Sequence, residues 1–489
     1  MVRQTASKIP ALHSRYNPIG EAEKYLNALT FREDPRFFIL IEPGRGYMIP
    51  LLARKFPQTK ILVLHVETQE PAVFVSEADI KIPPAVWEPA CGIGLEQFLE
   101  REIPDIEASA IQIIEWRPAL AVYGEEYQRL LVETANFIKR IDANKRTTRT
   151  FGVRWFKNFF KTLGMVRNVI YQSGDFTTLP CVVAGAGPSL EESLPLVKDL
   201  KHTNPFFVLG VSAAVQSLRV RGVVPDLIIS TDGGGWALVH LYECLRGAAA
   251  NHPFGLGVSL FGALPSQVQE LPLLLISDGS RWQNLILQGL NLPFINLPQR
   301  GTVTATALDL AFILTKGNVF ITGMDLAHRD ICTHARPYNF ERFLEEKASR
   351  FNPVYSQTFT RSFGILSGGS HSIYADWFGR QLETYPKRLY SLGNNHPVFN
   401  NLKPWNLSDW DSKGSTALDK TLGVWTIPAQ TNLAEKGVEM LIQALTNPQT
   451  SAVIKQELMP LLFPDKDSTT EALCDTVLYI TKAYTRSLY

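Results

Sequence analysis

Residues 181–193 read CVVAGAGPSLEES, and this stretch sets the class of fold. An apolar, β-branched run stops at Gly185-Ala186-Gly187, where Pro188 ends the strand. Ser189, with Glu192 three residues on, has the pattern of a capping box, so a helix is expected to start there. A strand that feeds a helix through a glycine turn is the opening of a βαβ unit. Glycine allows the sharp turn and the close approach of a ligand. Free N–H groups and the positive end of the helix favour a polar or anionic ligand over Gly185, Gly187, Pro188, Ser189 and Leu190. A tight turn without a ligand uses the same residues. Ligands of parallel sheets bind at the carboxyl ends of strands, which favours the binding reading.

Working outward, the strand itself begins near Leu179. Further uninterrupted apolar runs lie at Phe206–Gly210, Leu227–Ser230, Gly255–Leu260, Leu273–Ser277, Val319–Thr322 and Arg388–Leu392, with helical stretches between several of them. Such runs suit strands covered on both faces, and the alternation predicts a Rossmann-like α/β domain with a mostly parallel sheet. Upstream, residues 37–67 (FFILIEPGRGYMIPLLARKFPQTKILVLHVE) repeat strand, glycine turn, helix and strand, which predicts a smaller Rossmann-like domain. The two α/β regions are either unrelated or distant copies of one plan. A basic, aromatic helix is expected over Arg154–Val169, with Trp155, Phe156, Phe159 and Phe160 packed inward. Downstream, Trp405–Ser415 reads as a polar loop, and Leu433–Leu445 and Ser468–Leu488 read as helices. The expected domains are therefore 1–150 (N-terminal α/β), 151–175 (linker helix), 176–403 (central Rossmann-like) and 404–489 (helical).

Other strand ends carry candidate chemistry. Ser212 and Asp232 each follow a strand and project over the same edge as Gly185 and Gly187. Asp232, before three glycines, binds a ribose hydroxyl, binds a cation or caps a turn. Gly301, Thr302, Val303 and Thr304 open an apolar helix whose first turn offers N–H groups and hydroxyls. The next strand ends at Gly323-Met324-Asp325. Four of nine histidines fall between His328 and His396; His334 lies in CTHARPY, and His371 follows a glycine- and serine-rich stretch with the character of a lid. A neutral histidine beside a hydroxyl is a serviceable general base, though spacing alone does not choose between these two.

Composition limits the alternatives. The chain has 489 residues, 48 Lys and Arg against 47 Asp and Glu, and a formal charge of +1. Nothing in that balance calls for nucleic acid as a partner. The five cysteines are scattered, with no metal-ligand spacing, so no metal site and no disulfide framework is expected. No signal peptide and no apolar run near the ~20 residues of a membrane span is evident, so a cytoplasmic protein is expected.

The segments GAGPSL, SAAVQSLRVRGVVPDLIISTD and GTVTATALDLAFILTKGNVFITGMDLAHRDICTHA together resemble the motility-associated factor (Maf) family. The resemblance spans much of the chain and is strongest in the central domain. It implies a flagellin glycosyltransferase that moves a nonulosonic acid (pseudaminic, legionaminic or sialic type) to Ser or Thr. The central domain is also similar to bacterial sialyltransferases that use CMP-sialic acid. That similarity implies a nucleotide turn at Gly185–Leu190, a helix start at Gly301–Thr304, a strand ending at Gly323–Asp325, and a catalytic histidine at His371-Ser372, preferred over His334. The tyrosine pair that holds the leaving phosphate in that family is not matched; His328, Arg329, His334 and Tyr338 are the local substitutes. The implied mechanism is one inverting displacement with CMP leaving and His371 as base. No cofactor is obligatory, and a divalent cation at Asp232 or Asp325 stays open, as does the oligomeric state.

Three other readings compete. The central domain also resembles an archaeal pterin diphosphokinase, which would require ATP and magnesium. Glu42-Pro43-Gly44-Arg45-Gly46, with Glu67 after the next strand, resembles the nucleotide turn of S-adenosylmethionine methyltransferases; a degenerate Rossmann domain fits the same residues. A non-catalytic flagellin-binding factor completes the set.

Overall fold

The computed structural model describes residues 12–31, 35–67, 81–103, 110–173, 177–251, 255–327, 332, 334–354, 374–375, 377–379, 382, 385–412, 421–428, 432–464 and 468–485. The chain divides into two units, Met1–Thr150 and Phe151–Tyr489.

The first unit opens with α1 (Pro18–Asn27), capped by the Asn17 side chain. Four strands follow, β1 (Phe37–Ile41), β2 (Lys60–Leu64), β3 (Ala85–Trp87) and β4 (Ile111–Glu115), with α2 (Met48–Lys55) and α3 (Leu95–Glu102) between them. The strand order is β3-β2-β1-β4, all parallel. All five residues of β1 are buried, as expected for a strand covered on both faces. The core gathers Phe38, Leu40, Leu62, Leu64, Phe98 and Trp116.

Helix α4 (Arg117–Met165) spans the division between the units, with a non-helical residue at Gly124. Its last turns bury Phe156, Phe159, Phe160 and Leu163 in the second unit. The sequence reading carried this helix to Val169. Asn168–Gln172 instead forms strand β5, because Val169 and Ile170 are β-branched and pair with β10 on one side and β14 on the other.

The second unit is built on a ten-stranded sheet. Its strands are β5, β6 (Cys181–Ala184), β7 (Phe207–Val211), β8 (Leu227–Ser230), β9 (Gly255–Ser259), β10 (Pro272–Ser277), β11 (Ile295–Asn296), β12 (Val319–Thr322), β13 (Leu389–Ser391) and β14 (Leu422–Thr426). The order is β13-β12-β6-β7-β8-β9-β10-β5-β14, with β11 on β10. Every pairing is parallel except β14 with β5. Helices α5 (Leu190–Thr203), α6 (Val215–Val220), α7 (Ala237–Asn251), α8 (Arg281–Gly289), α9 (Val303–Leu314) and α10 (Glu341–Glu346) connect the strands.

This is the Rossmann-like, mostly parallel architecture that the seven apolar runs predict. The last region is less purely helical than read. It adds β14 to the sheet before α11 (Leu433–Thr446), α12 (Ser451–Leu462) and α13 (Thr470–Thr485). Leu441, Leu445, Leu458, Leu473 and Val477 share one core with Phe159 and Trp282. The stretch expected to be a loop near Trp405 holds a short helix at Leu407–Trp410, and Trp410 is fully buried, stacked 3.8 Å from Phe320. Among the described residues, no helix is long and apolar enough to cross a membrane.

Candidate functional site

Strand β6 is flanked by β7 and β12, and the chain leaves it in one direction and returns on the other side. This is the topological switch point, where open α/β sheets form a ligand crevice beyond the carboxyl ends. The two glycine turns found in the sequence, after β6 and after β12, meet there. They meet tightly. A Cβ on Gly185 would overlap the Gly323 carbonyl, and one on Gly187 would overlap Asp325 Oδ2. Gly323 also needs its left-handed φ of +68°.

This contact corrects the expected anion cradle. The N–H of Gly185 donates to the Thr322 carbonyl (2.8 Å), that of Gly187 to the Gly323 carbonyl (2.8 Å), and that of Leu190 to the Gly187 carbonyl (3.0 Å). The N–H of Ser189 donates to Asp325 Oδ2 at 3.0 Å, and the Ser189 hydroxyl donates to the same oxygen at 2.7 Å. Asp325, 3 % exposed, therefore supplies the negative charge that the start of α5 attracts. The capping box is absent: Ser189 makes no side-chain cap, and Glu192 accepts from Asn394 instead. These glycines serve each other and Asp325, forming the floor of the crevice.

The start of α9 is the second wall. Thr302 caps it by accepting from the Ala305 N–H at 3.1 Å. Thr304 Cγ2 approaches the Cβ position of Gly185, so this helix start abuts the β6 turn. Gly301 has φ +75°, and the Tyr374 ring covers the space where its Cβ would stand. Val303 is partly buried beside Thr304.

A roof comes from residues 334–341. The Ala335 N–H donates to the Ala186 carbonyl at 2.9 Å. Arg221 pairs with Glu191 at 2.6 Å and donates to the Arg336 carbonyl, while Glu191 accepts from the Arg336 N–H. The Ser217 hydroxyl donates to the same Arg336 carbonyl. So fastened, His334 lies stacked against Tyr338 with ring centroids 5.1 Å apart. His371 lies outside the described residues, as do His328 and Arg329.

Of the two residues expected on neighbouring strand ends, Ser212 is buried just past β7, and Asp232 is exposed past β8. Asp232 accepts from the Gly234 N–H at 2.8 Å, the turn-capping role that was one of its three alternatives. Among the described residues, no group of three or more His, Cys, Asp or Glu side chains is placed to hold a metal ion.

The sequence reading missed His240, in the first turn of α7. Its ring lies 6.4 Å from that of His334 and 6.0 Å from that of Phe340. Burial holds its imidazole below the ordinary value, opposed by Asp232. Among the described residues, Gln216 Oε1, Ser230 Oγ, His240 Nδ1 and Asn339 Oδ1, on the elements after β7 and β8 and on the roof, are buried polar atoms without a hydrogen-bond partner. Orphaned polar atoms are rare in native interiors, and functional sites are one place where they persist. No local motif marks these residues; Asn339 meets His240 only through the fold, its Nδ2 donating to the carbonyls of Val239 (3.1 Å) and His240 (3.2 Å).

With this geometry in place, comparisons add three findings. Residues 154–330 match the family described as 6-hydroxymethylpterin diphosphokinase MptE-like. A protein of Treponema pallidum (strain Nichols), described only as uncharacterized, is 26 % identical over 322 residues, which cover 65 % of this chain and 67 % of that protein. The solved structure of a Maf glycosyltransferase from Magnetospirillum magneticum AMB-1 superposes with a TM-score of 0.51 at 13 % identity, over 96 % of this chain and 77 % of that one.

Proposed function

We propose, from the premise that residues 154–330 carry an MptE-like domain in a chain with the fold of a Maf glycosyltransferase, that this protein is itself a glycosyltransferase. The observation that carries the reading is the crevice at the switch point, with the start of α9 on one side and His334 and Tyr338 held over the β6 turn. The donor is a CMP-activated nonulosonic acid, and the acceptor is a Ser or Thr hydroxyl of flagellin. The acceptor oxygen bonds to the anomeric carbon as the bond from that carbon to the phosphate oxygen breaks. Configuration inverts, and CMP leaves with the electron pair.

His371 takes the acceptor proton. The H-S segment His371-Ser372, which resembles the sialyltransferase base segment, supports this role; Tyr374 packs over Gly301 at the start of α9. His334 and Tyr338 hold the leaving phosphate, together with the N–H groups at the start of α9. Fixed donors at the place where charge develops are commonly the largest contribution to such catalysis. The reaction is a cytoplasmic one in this reading, and a divalent cation is an optional aid.

The test is a mass-shift assay on flagellin with CMP-pseudaminic, CMP-legionaminic and CMP-sialic acids. A shift of one sugar residue is expected with one of them. His371→Ala should abolish transfer and leave CMP binding within about twofold. Absence of transfer from all three donors would overturn the reading. The description of the matched family favours a second reading, diphosphate transfer from ATP to a hydroxymethylpterin; formation of AMP and the pterin diphosphate on incubation of the chain with ATP, magnesium and hydroxymethylpterin would establish it in place of the first.

A further inference from the structure

Trp236 stands just after Gly233-Gly234-Gly235, past the carboxyl end of β8, and is 58 % exposed. Leaving so large an apolar ring in water forgoes its burial energy, and contiguous exposed apolar patches mark contact surfaces. The ring does not stand alone. Its centroid lies 5.0 Å from that of Phe340 and 5.0 Å from that of Phe343, and those two are 5.3 Å apart, all edge-to-face. Phe340 immediately precedes α10 and Phe343 lies in its first turn, so the roof helix holds one side of the cluster and the β8 loop the other. Both phenylalanines are half-buried.

The cluster continues the crevice outward. Phe340 lies 6.0 Å from His240, His240 lies 6.4 Å from His334, and His334 stacks on Tyr338 at 5.1 Å. A continuous series of rings thus runs from the His334–Tyr338 pair over the β6 turn to solvent at Trp236. The cations at the outer end are already engaged: Arg342 pairs with Glu346 at 3.0 Å, and the Lys347 ammonium lies 4.0 Å from the Phe343 centroid. That end offers rings in place of free positive charge, which does not suit an anionic donor. It is also too small for a second copy of the chain. A tryptophan presents up to about 250 Å², so the exposed part of Trp236 is on the order of 150 Å². A standard protein interface takes roughly 800 Å² per partner. The smaller area fits one or two side chains of an extended segment.

We propose that Trp236, Phe340 and Phe343 form an acceptor platform, which holds an apolar side chain of the acceptor polypeptide within about five residues of the modified Ser or Thr. This rests on the transferase reading above. The spacing follows from the rings. Three contacts of 5.0–6.4 Å separate His334 from Trp236, and an extended chain advances about 3.3 Å per residue. A few aromatic anchors carry most of the energy of a protein contact, so Trp236 determines acceptor specificity. A hydroxyl in a wholly polar stretch reaches the same reacting centre without that hold.

The experiment sets the full chain against purified flagellin in two ways: binding by calorimetry in the presence of CMP, and transfer kinetics with the CMP-sugar that gives a mass shift. Trp236→Ala should weaken flagellin binding and raise its KM at least about tenfold, with kcat falling less than about threefold. Trp236→Phe, which keeps an aromatic face, should recover at least half of the lost affinity. Phe343→Ala serves as the second variant, with an expected loss of about threefold. CMP affinity within about twofold of the parent, and thermal melts within a few degrees of it, establish that the variants are folded and keep the donor site. Parental affinity and KM for flagellin in both Trp236→Ala and Phe343→Ala overturn the platform. A parallel loss of CMP affinity also overturns it, by putting the rings on the donor. If the parent binds flagellin but transfers no sugar, the transferase reading fails and the binding measurement alone decides the platform. If the parent neither binds nor modifies flagellin, both fail.

Discussion

The two units carry the same four-strand plan and use its crevice in opposite ways. In the first, β3-β2-β1-β4 places the Glu42–Gly46 turn between β1 and β4; in the second, β8-β7-β6-β12 places the Gly185–Ser189 turn between β6 and β12. Each turn has a buried carboxylate. In the second unit it is Asp325, which comes from the neighbouring strand and fastens two turns into a floor. In the first unit it is Glu42, fully buried with φ +42°, which folds back on its own side of the sheet. Its oxygens meet His65 Nδ1 at 3.1 Å and accept from the Val66 N–H at 2.7 Å. The space over Gly44 is then taken by His13, whose Nε2 accepts from the Arg45 N–H at 3.0 Å. Trp116 stacks on His13 and donates from Nε1 to the Leu12 carbonyl. One turn is covered by its own chain through His13, whose Nδ1 is itself left without a hydrogen-bond partner, while the other turn is fastened by an aspartate from the neighbouring strand. A shared topology therefore does not imply a shared ligand. The acidic-GxG resemblance of the first unit to a methyltransferase turn falls on a turn whose carboxylate and open space are already committed.

Substitutions can break this comparison, and the largest effect is expected at Gly187. Gly187→Val forces a side chain into the place of Asp325 Oδ2. It should cost at least about 3 kcal/mol in the denaturant unfolding of the second unit, and a wild-type midpoint would show that the two turns are not in contact. Asp325→Ala leaves the buried Ser189 N–H and hydroxyl without an acceptor, for about 2–3 kcal/mol in the same measurement. Glu42→Gln keeps an acceptor for Val66 but changes the partner of His65. A loss of about 1 kcal/mol is expected, confined to the unfolding of the first unit. His13→Ala should cost about 1 kcal/mol or less, because it empties a site at the rim, and should leave nucleotide binding to the second unit unchanged. Tight binding of S-adenosylmethionine by the His13→Ala chain would blur the distinction between the units.

Acid should destabilise both units through one histidine each. Burial holds His13 and His240 below the ordinary 6.5, with Glu21 and Asp232 respectively opposing it. The unfolded chain therefore binds these protons first, so stability is present above about pH 6.5 and declines as pH falls below it. Unfolding midpoints at pH 7.5 and 5.5 should show the decline, and His13→Gln and His240→Gln should each flatten it in one unit. An unaltered slope in both variants would move the effect elsewhere.

Much of the architecture was legible because its strands are buried on both faces. Runs such as Leu227–Ser230 and Val319–Thr322 have no polar interruption, so their ends fall where the sequence puts them. Strand β14 was not legible. Its LGVWT lies at a sheet edge with alternating exposure, among helical neighbours, and only its partner β5 defines it. The site divides in the same way. The turn after β6 can be found from glycine and proline, but its occupant cannot: Ser189 and Glu192 have a local capping pattern, and an aspartate 136 residues away overrides it. His240 lies in ALVHLYECL, where nothing separates it from an ordinary helical histidine until the roof and Asn339 are placed against it.

The antiparallel pairing of β5 with β14 joins Asn168 to Thr426, the beginning of the second unit to its end. On the ribosome, this edge stays unpaired and Trp282 lacks its cover from Leu441 and Leu473 until the last helices emerge. At 5–20 residues per second, that interval lasts roughly 15–60 s after β5 is made. The first unit is complete well before then. The nascent second unit presents a bare strand and an aromatic face throughout, which makes it the half of the chain expected to depend on a chaperone during synthesis.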